Sequence, residues 1–180
     1  MLTQSKLSSA MLLGLTLVIF HSCTKQKDFP FHKSGISFVV PTAWKISDED
    51  SLDGAGYYLS IEKRGLDESG LVSITCINDS IDLETYMNVF KKSLAEQMTL
   101  GSKASYTAPK PSIYSSIDVL STSYTFQLIG LKHSGRVIHF YGKDKTVVVL
   151  EQCATEDLSK STSGFRQIEE SFAIGSPATY

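Results

Sequence analysis

Cysteine is scarce. There are three in 180 residues, Cys23, Cys76 and Cys153, and no two share a C-x-x-C spacing. That excludes a zinc ribbon and a thioredoxin-type redox pair. Positive charge is not in excess: 17 Lys and Arg against 19 Asp and Glu give a formal net charge of −2. Nucleic-acid binding lacks the basic footprint it needs. No H-x-H, H-E-x-x-H or G-x-S-x-G motif occurs, so the sequence offers neither a metal site nor a serine-hydrolase elbow, and no cofactor is expected. Gly54-Ala55-Gly56 is a bare G-x-G that opens no helix and reads as a flexible turn. What remains is ordinary globular composition, 42% hydrophobic and 20% charged, in a length that suits one domain.

Long apolar runs are also missing. Ala10 to Phe20 is the apolar stretch at the N-terminus, about half of the ~20 residues a membrane-spanning helix requires. It follows Lys6 and a segment without acids, as a secretory signal does. The run ends Ile19-Phe20-His21-Ser22-Cys23. This resembles a bacterial lipoprotein signal, in which a cysteine after a small residue is acylated and becomes the mature N-terminus. Ser22 fits that small position, and Phe20 departs from the usual Leu or Val. Residues 1–22 are therefore expected to be the signal and 23–34 a polar tether. Several acyl chains, of the palmitate type, on Cys23 would hold the protein on a lipid membrane without a spanning helix. The expected location is the bacterial cell envelope, on the outer membrane facing the periplasm, since Thr24 is not the aspartate that marks inner-membrane retention.

The remaining chain alternates as strands do. Gly35 to Val40 and Trp44 to Ile46 are extended, with Asp48 to Gly56 as an acidic loop. Tyr57 to Lys63 and Leu71 to Ile77 follow, with Val72, Ile74 and Cys76 on one face. Asp82 is placed to cap a helix, and Leu83, Tyr86, Met87, Phe90, Leu94 and Met98 share one stripe of it. Gly101 would stop that helix. Val72, Ile74 and Val147 or Val148 are the expected receivers of the stripe. In the second half, Pro109 and Pro111 end a weak strand and Ile117 to Ile129 is a long one. Lys132-His133-Ser134-Gly135 reads as a hairpin turn before Arg136 to Tyr141. Val147-Val148-Val149-Leu150 is apolar on both faces, which requires cover front and back. A last helix begins near Thr155, with Leu158, Phe165, Ile168 and Phe172 as its apolar side and Gly164 as a weak point.

Three stretches carry a family likeness: Gly-Ile-Ser-Phe-Val-Val-Pro-Thr-Ala-Trp, ending at Trp44, Ile-Asp-Leu-Glu-Thr-Tyr, ending at Tyr86, and Phe-Arg-Gln-Ile-Glu-Glu-Ser-Phe, ending at Phe172. With the strand and helix order, they resemble the PsbP-like superfamily, which includes DcrB-like bacterial lipoproteins. The resemblance implies an α+β fold over residues 35–175, an antiparallel sheet with helices on both faces, followed by a short tail at 176–180. It further implies a non-enzymatic envelope lipoprotein that binds a protein partner or supports an envelope complex. Its members also include binders of small amphiphiles, so a carrier of a hydrophobic or glycolipid ligand is the alternative. Fold does not choose between them.

A few residues are candidates for more than packing. Cys76 and Cys153 both lie late in strands. They form a disulfide if their Cα atoms come within ~7 Å, and otherwise remain buried thiols. Tyr57, Tyr58, Tyr106 and Tyr114 would line a ligand groove if they converge, or simply pack on the sheet. His32, His133 and His139 have no metal-binding spacing. Asp50-Ser51-Leu52 and Asp79-Ser80-Ile81 resemble a short O-glycosylation signal of exported bacterial proteins, in expected loops. Trp44 is expected in the core.

Overall fold

The structure is a computed structural model that describes residues 27–65, 68–98, 103–142 and 144–175. Its elements, in order, are β1 (Phe29–Lys33), β2 (Ile36–Val40), β3 (Trp44–Ser51), β4 (Gly56–Lys63), β5 (Leu71–Ile77), α1 (Leu83–Gln97), β6 (Ser105–Tyr106), β7 (Lys110–Tyr114), β8 (Ile117–Leu128), β9 (Leu131–Tyr141), β10 (Thr146–Ala154), a 3-10 turn (Thr155–Asp157), α2 (Leu158–Ser171) and β11 (Ala173–Ile174). The large sheet runs β3-β4-β5-β10-β9-β8-β6, with β7 also paired to β8, and a small sheet runs β1-β2-β11. Every pairing is antiparallel.

Period-2 alternation sorts the strand residues into two cores. On one face, Leu59, Ile61, Val72, Ile74, Val147, Val149 and Ile138 meet Phe165, Ile168 and Phe172 of the α2 segment, with Phe38 and Val40 of the small sheet. On the other, Val148, Leu150, Val137, Tyr124 and Phe126 meet Leu83, Met87 and Leu94 of α1. The run Val147–Leu150 is thus covered on both sides, as its composition requires. Each large apolar side chain buried in these layers contributes about 1.5–3 kcal/mol before entropy is counted. Asp82 caps α1, accepting from the Thr85 backbone N–H at 2.9 Å. That bond also lowers the Asp82 pKa.

Several expectations change. The fold begins at Phe29 rather than Gly35, because β1 pairs with β2 inside the stretch read as tether. The acidic segment after Ile46 continues β3 to Ser51, with a bulge between Ile46 and Asp48. Pro111 does not end pairing. It lies within β7, which pairs only with β8, where a missing N–H is tolerated. The hairpin turn is at Ile129-Gly130, and Lys132 to Gly135 are strand, since the pairing of Phe126 with His133 fixes the register. Val72, Ile74 and Val147 receive α2, while Val148 alone of the expected set receives α1. Phe90 is half-buried, against Tyr124 and Tyr106. Residues 1–22, Cys23, Gly101 and the 176–180 tail lie outside the described residues.

Candidate functional site

α2 covers β4, β5, β10 and the Ile138–Phe140 part of β9 but leaves the same face of β8 and β9 open nearer their hairpin, at Ser123, Thr125, Ser134 and Arg136. The result is an open groove of about 800 Å³, walled by Leu158, Thr162, Phe165, Arg166, Glu169 and Glu170 of α2. Its floor is Ser123, Thr125, Ser134, Arg136 and Glu151, and the Ser115-Ser116 turn closes one end. The floor is polar because alternate positions of β8 on this face are hydroxyl residues. Ser115 Oγ donates to the Glu170 carbonyl at 3.5 Å, tying that turn to α2.

A part-buried ion network, centred on the buried Glu151, sits beneath the groove. Arg136 of β9 lies opposite Glu151 of β10 in the ladder. Its Nε donates to Glu151 Oε2 at 2.7 Å and its Nη2 to Oε1 at 3.2 Å, and Nη2 also bonds Glu169 of α2. Tyr114 donates its hydroxyl to Glu151 Oε1 at 3.4 Å. The guanidinium stands 5.6 Å from the Tyr114 ring centroid. Burial pushes the Glu151 carboxyl up, against the pull of Arg136. Burial also works against the Arg136 charge, but the two carboxylates outweigh it and hold the guanidinium protonated. Burial likewise raises Tyr114. The network fastens α2 to the sheet and puts charged, hydrogen-bonding groups under an open cavity.

The sequence candidates are scattered around this site. Tyr114 joins the network from below, and Tyr57 is on the same face but lies under Lys33, 4.8 Å away. Tyr58 is on the opposite face, with its hydroxyl 3.5 Å from Ser73 Oγ. Tyr106 packs by α1, stacked on Tyr124 at 6.2 Å. The four tyrosines therefore form no common groove. Cys76 and Cys153 are both free and buried. Cys76 pairs with Val147, six positions before Cys153 on β10, which puts the two about 20 Å apart and rules out a bridge. Burial raises both thiols. His139 is buried on the α1 side and donates from Nε2 to the Ile81 carbonyl at 2.8 Å. His133 stacks on Phe126 at 5.0 Å. Ser134 pairs with Thr155 at 2.7 Å. Among the described residues no group of three His, Cys, Asp or Glu could hold a metal. Asp50 and Ser51 end β3, and Ser80 lies in the exposed loop before α1.

Sequence reasoning missed Arg136, Glu151 and Glu169. One signal was available: Glu151 follows Val147–Leu150 in a strand buried on both sides, and a carboxylate there needs a cationic partner.

No protein-family model matches the chain, and no curated protein matches it significantly. Solved structures do. The solution structure of cyanobacterial PsbP (CyanoP) from Synechocystis sp. PCC 6803 aligns with a TM-score of 0.57 at 12% identity, over 85% of this chain and 95% of that one. LpqN, involved in cell envelope biogenesis of Mycobacterium tuberculosis, aligns at 0.51 and 12% identity, over 83% and 91%. A crystal structure from Bacteroides thetaiotaomicron aligns at 0.53 and 10% identity, over 85% of this chain and 50% of that one. The chain has a PsbP-like fold. Identities this low make the likeness one of fold, and the narrower DcrB-like resemblance has no support in these structures.

Proposed function

We propose that the protein is a lipid-anchored component of a bacterial cell envelope whose PsbP-like domain works by binding, not catalysis, and holds a polar segment of a protein partner in the groove beside α2. The observation that carries this reading is the groove itself, about 800 Å³ of open space over hydroxyls and an Arg–carboxylate network. A carrier of a hydrophobic ligand needs a cavity lined mostly by apolar side chains. Here Leu158, Phe165 and Tyr124 are the large apolar or aromatic residues of the lining, and the others apart from Gly135 carry hydroxyl, guanidinium or carboxylate groups. The envelope setting is supported by the Ile19–Cys23 signal and by the involvement of LpqN, a neighbour in fold, in cell envelope biogenesis. Acylation of Cys23 would supply the anchor.

The test is a photo-crosslinking residue at Ser123, on the groove floor, in the native envelope. A discrete protein adduct, lost when Arg166 and Glu170 on the groove wall are changed to Ala, is expected. Co-purification of a stoichiometric lipid with the domain, and no protein adduct, would overturn the reading in favour of a carrier.

A further inference from the structure

The two ends of the large sheet differ in chemistry. One end holds the start of β3, the finish of β10 and the β8–β9 hairpin tip, as the registers require. The chain enters the fold at this end. Asp28 Oδ1 accepts from the Thr42 N–H at 2.7 Å and its hydroxyl at 2.6 Å, and Oδ2 accepts from Gln167 Nε2 at 2.7 Å. Thr42 is in the turn leading to Trp44, so the entry point is pinned there.

The hairpin tip at that end is unusual. Leu128 pairs with Leu131, leaving Ile129-Gly130 as a two-residue loop. β10 stops at the row of His133, so the tip overhangs its neighbour by about 7 Å. Ile129 is 82% exposed and Leu131 49% exposed, and Leu158 at the same end is 45% exposed. Ile129 holds φ at +49°, a region that disfavours β-branched side chains. A strained, exposed isoleucine at a loop tip gains nothing from the fold and points to a contact outside it.

Charge separates the ends as well. Lys45, Arg64, Lys103, Lys132 and Lys160 are exposed around the entry and the tip. Of the acids there, Asp28 is held by Thr42 and Gln167, Glu62 faces Lys45, Glu68 faces Lys63 and Lys160, and Asp157 pairs with Lys160 at 3.3 Å, while Glu156 has no ion-pair partner among the described residues. The opposite end carries Asp53, Asp79, Asp82, Asp118 and Asp144 on its loops and strand ends, with Lys33 there tied to Glu49 and Lys145 donating to the Ser34 carbonyl.

We propose that this end docks on a lipid bilayer, with Ile129 and Leu131 inserted among acyl chains and Lys132, Lys103 and Lys160 over anionic headgroups. The proposal rests on reading Cys23 as the anchor. Five residues from Cys23 to Asp28 span at most about 17 Å, and the tip lies about 20 Å across the sheet from the entry point, so a tethered domain meets the bilayer on this end. An apolar tip within a basic rim is the chemistry that an interface with anionic lipid selects. The acidic end faces away.

The experiment places an environment-sensitive nitrobenzoxadiazole probe on full-length Ile129→Cys and, for comparison, on Asp53→Cys. Cys76 and Cys153 are buried and escape labelling. Vesicles are phosphatidylcholine with one quarter phosphatidylglycerol. The Ile129 probe on acylated, vesicle-bound protein should brighten several-fold and shift to the blue, and the Asp53 probe should not change. A dim Ile129 probe on protein that floats with vesicles and carries acyl mass overturns the docking but leaves the anchor standing. If Cys23 carries no acyl chain, the anchor reading fails, and the soluble Cys23→Ser chain with the same vesicles decides the docking alone: brightening supports it and no change overturns it. Ile129→Asn, which suits the loop conformation, should keep the fold and lose tight apposition, read as a dim probe at Leu131→Cys.

Discussion

The indole of Trp44 packs directly against the bare backbone of Gly164. A Cβ at Gly164 would sit 2.5 Å from Trp44 Cε2 and closer still to Nε1. Trp44 is 2% exposed, with the Phe165 ring edge-on at 5.4 Å. The glycine that weakens α2 locally is therefore the seat of the core's largest side chain.

Two opposed terms act on Gly164→Ala. Alanine gains about 1 kcal/mol of helix propensity, while overpacking a tight core site costs about 1–3 kcal/mol. The contact distance decides for the cost, and the variant should melt lower than wild type. Trp44→Ala should destabilise by about 3–5 kcal/mol. In the Trp44→Ala background the clash is gone, so Gly164→Ala should become neutral or stabilising. A thermal-denaturation double-mutant cycle reads this reversal, and additive losses would refute the packing account.

Stability should also fall on mild acidification. His139 donates Nε2–H to the Ile81 carbonyl, and its Nδ1 is buried without a partner among the described residues. Burial lowers its pKa from 6.5, and burial lowers His133 as well. A histidine depressed in the fold stays neutral while the unfolded chain takes up a proton below about 6.5. The unfolded state then binds more protons, so stability drops as pH falls through 6.5 toward the folded-state value. Urea melts of wild type and His139→Gln at pH 7.5 and 5.5 would show it. Equal pH slopes in the two proteins would assign the loss to other groups.

How much of this was legible depends on the range of the forces involved. Local and periodic signals were readable: the Asp82 cap, the stripe of Leu83, Met87 and Leu94, and the doubly buried Val147–Leu150. Long-range pairing was not. β1 contains Pro30, which argues against a strand, and its one local signal is the two-residue Ser34-Gly35 turn, both at positive φ, that folds it back on β2; the return of β11 to the far edge of β2 is the pairing that no local signal announces. Lys132-His133-Ser134-Gly135 has better turn chemistry than Leu128-Ile129-Gly130, yet the β9–β10 ladder extends through His133 and Ser134 and overrides it. The groove is a gap between α2 and β8–β9, so no single segment encodes it.

Arg136 is the support of Glu151, and removing it should be worse than removing Glu169. Arg136→Met leaves a buried carboxylate with only the Tyr114 hydroxyl, and breaking a buried pair in this way costs about 3–5 kcal/mol. The Glu151 pKa, already raised by burial, should rise further, so the variant's deficit should be greatest at neutral pH and shrink as acid protonates the group. Glu169 is more exposed, and Glu169→Gln should cost far less. The Arg136→Met, Glu151→Met double variant should recover much of the loss. Chemical denaturation measures all three, and a double variant no better than Arg136→Met would contradict the buried-charge explanation.

The last prediction concerns the strain at Ile129. Ile129 and Gly130 have φ of +49° and +82°, positive at both central positions, the loop type in which Asn-Gly is preferred. A left-handed conformation costs a non-glycine residue about 1–2 kcal/mol, and Asn bears it best. The Ile129 side chain is largely in solvent, so its removal gives up little burial. Ile129→Asn should therefore stabilise the domain by about 1 kcal/mol, which corresponds to about 2–4 °C in Tm for a chain of this size. A lower Tm would mean that the isoleucine packs within the domain and is not free for a bilayer. A higher Tm together with lost probe burial at Leu131 would show that the residue serves contact with the membrane at the expense of the fold, the trade that strain at a functional site entails.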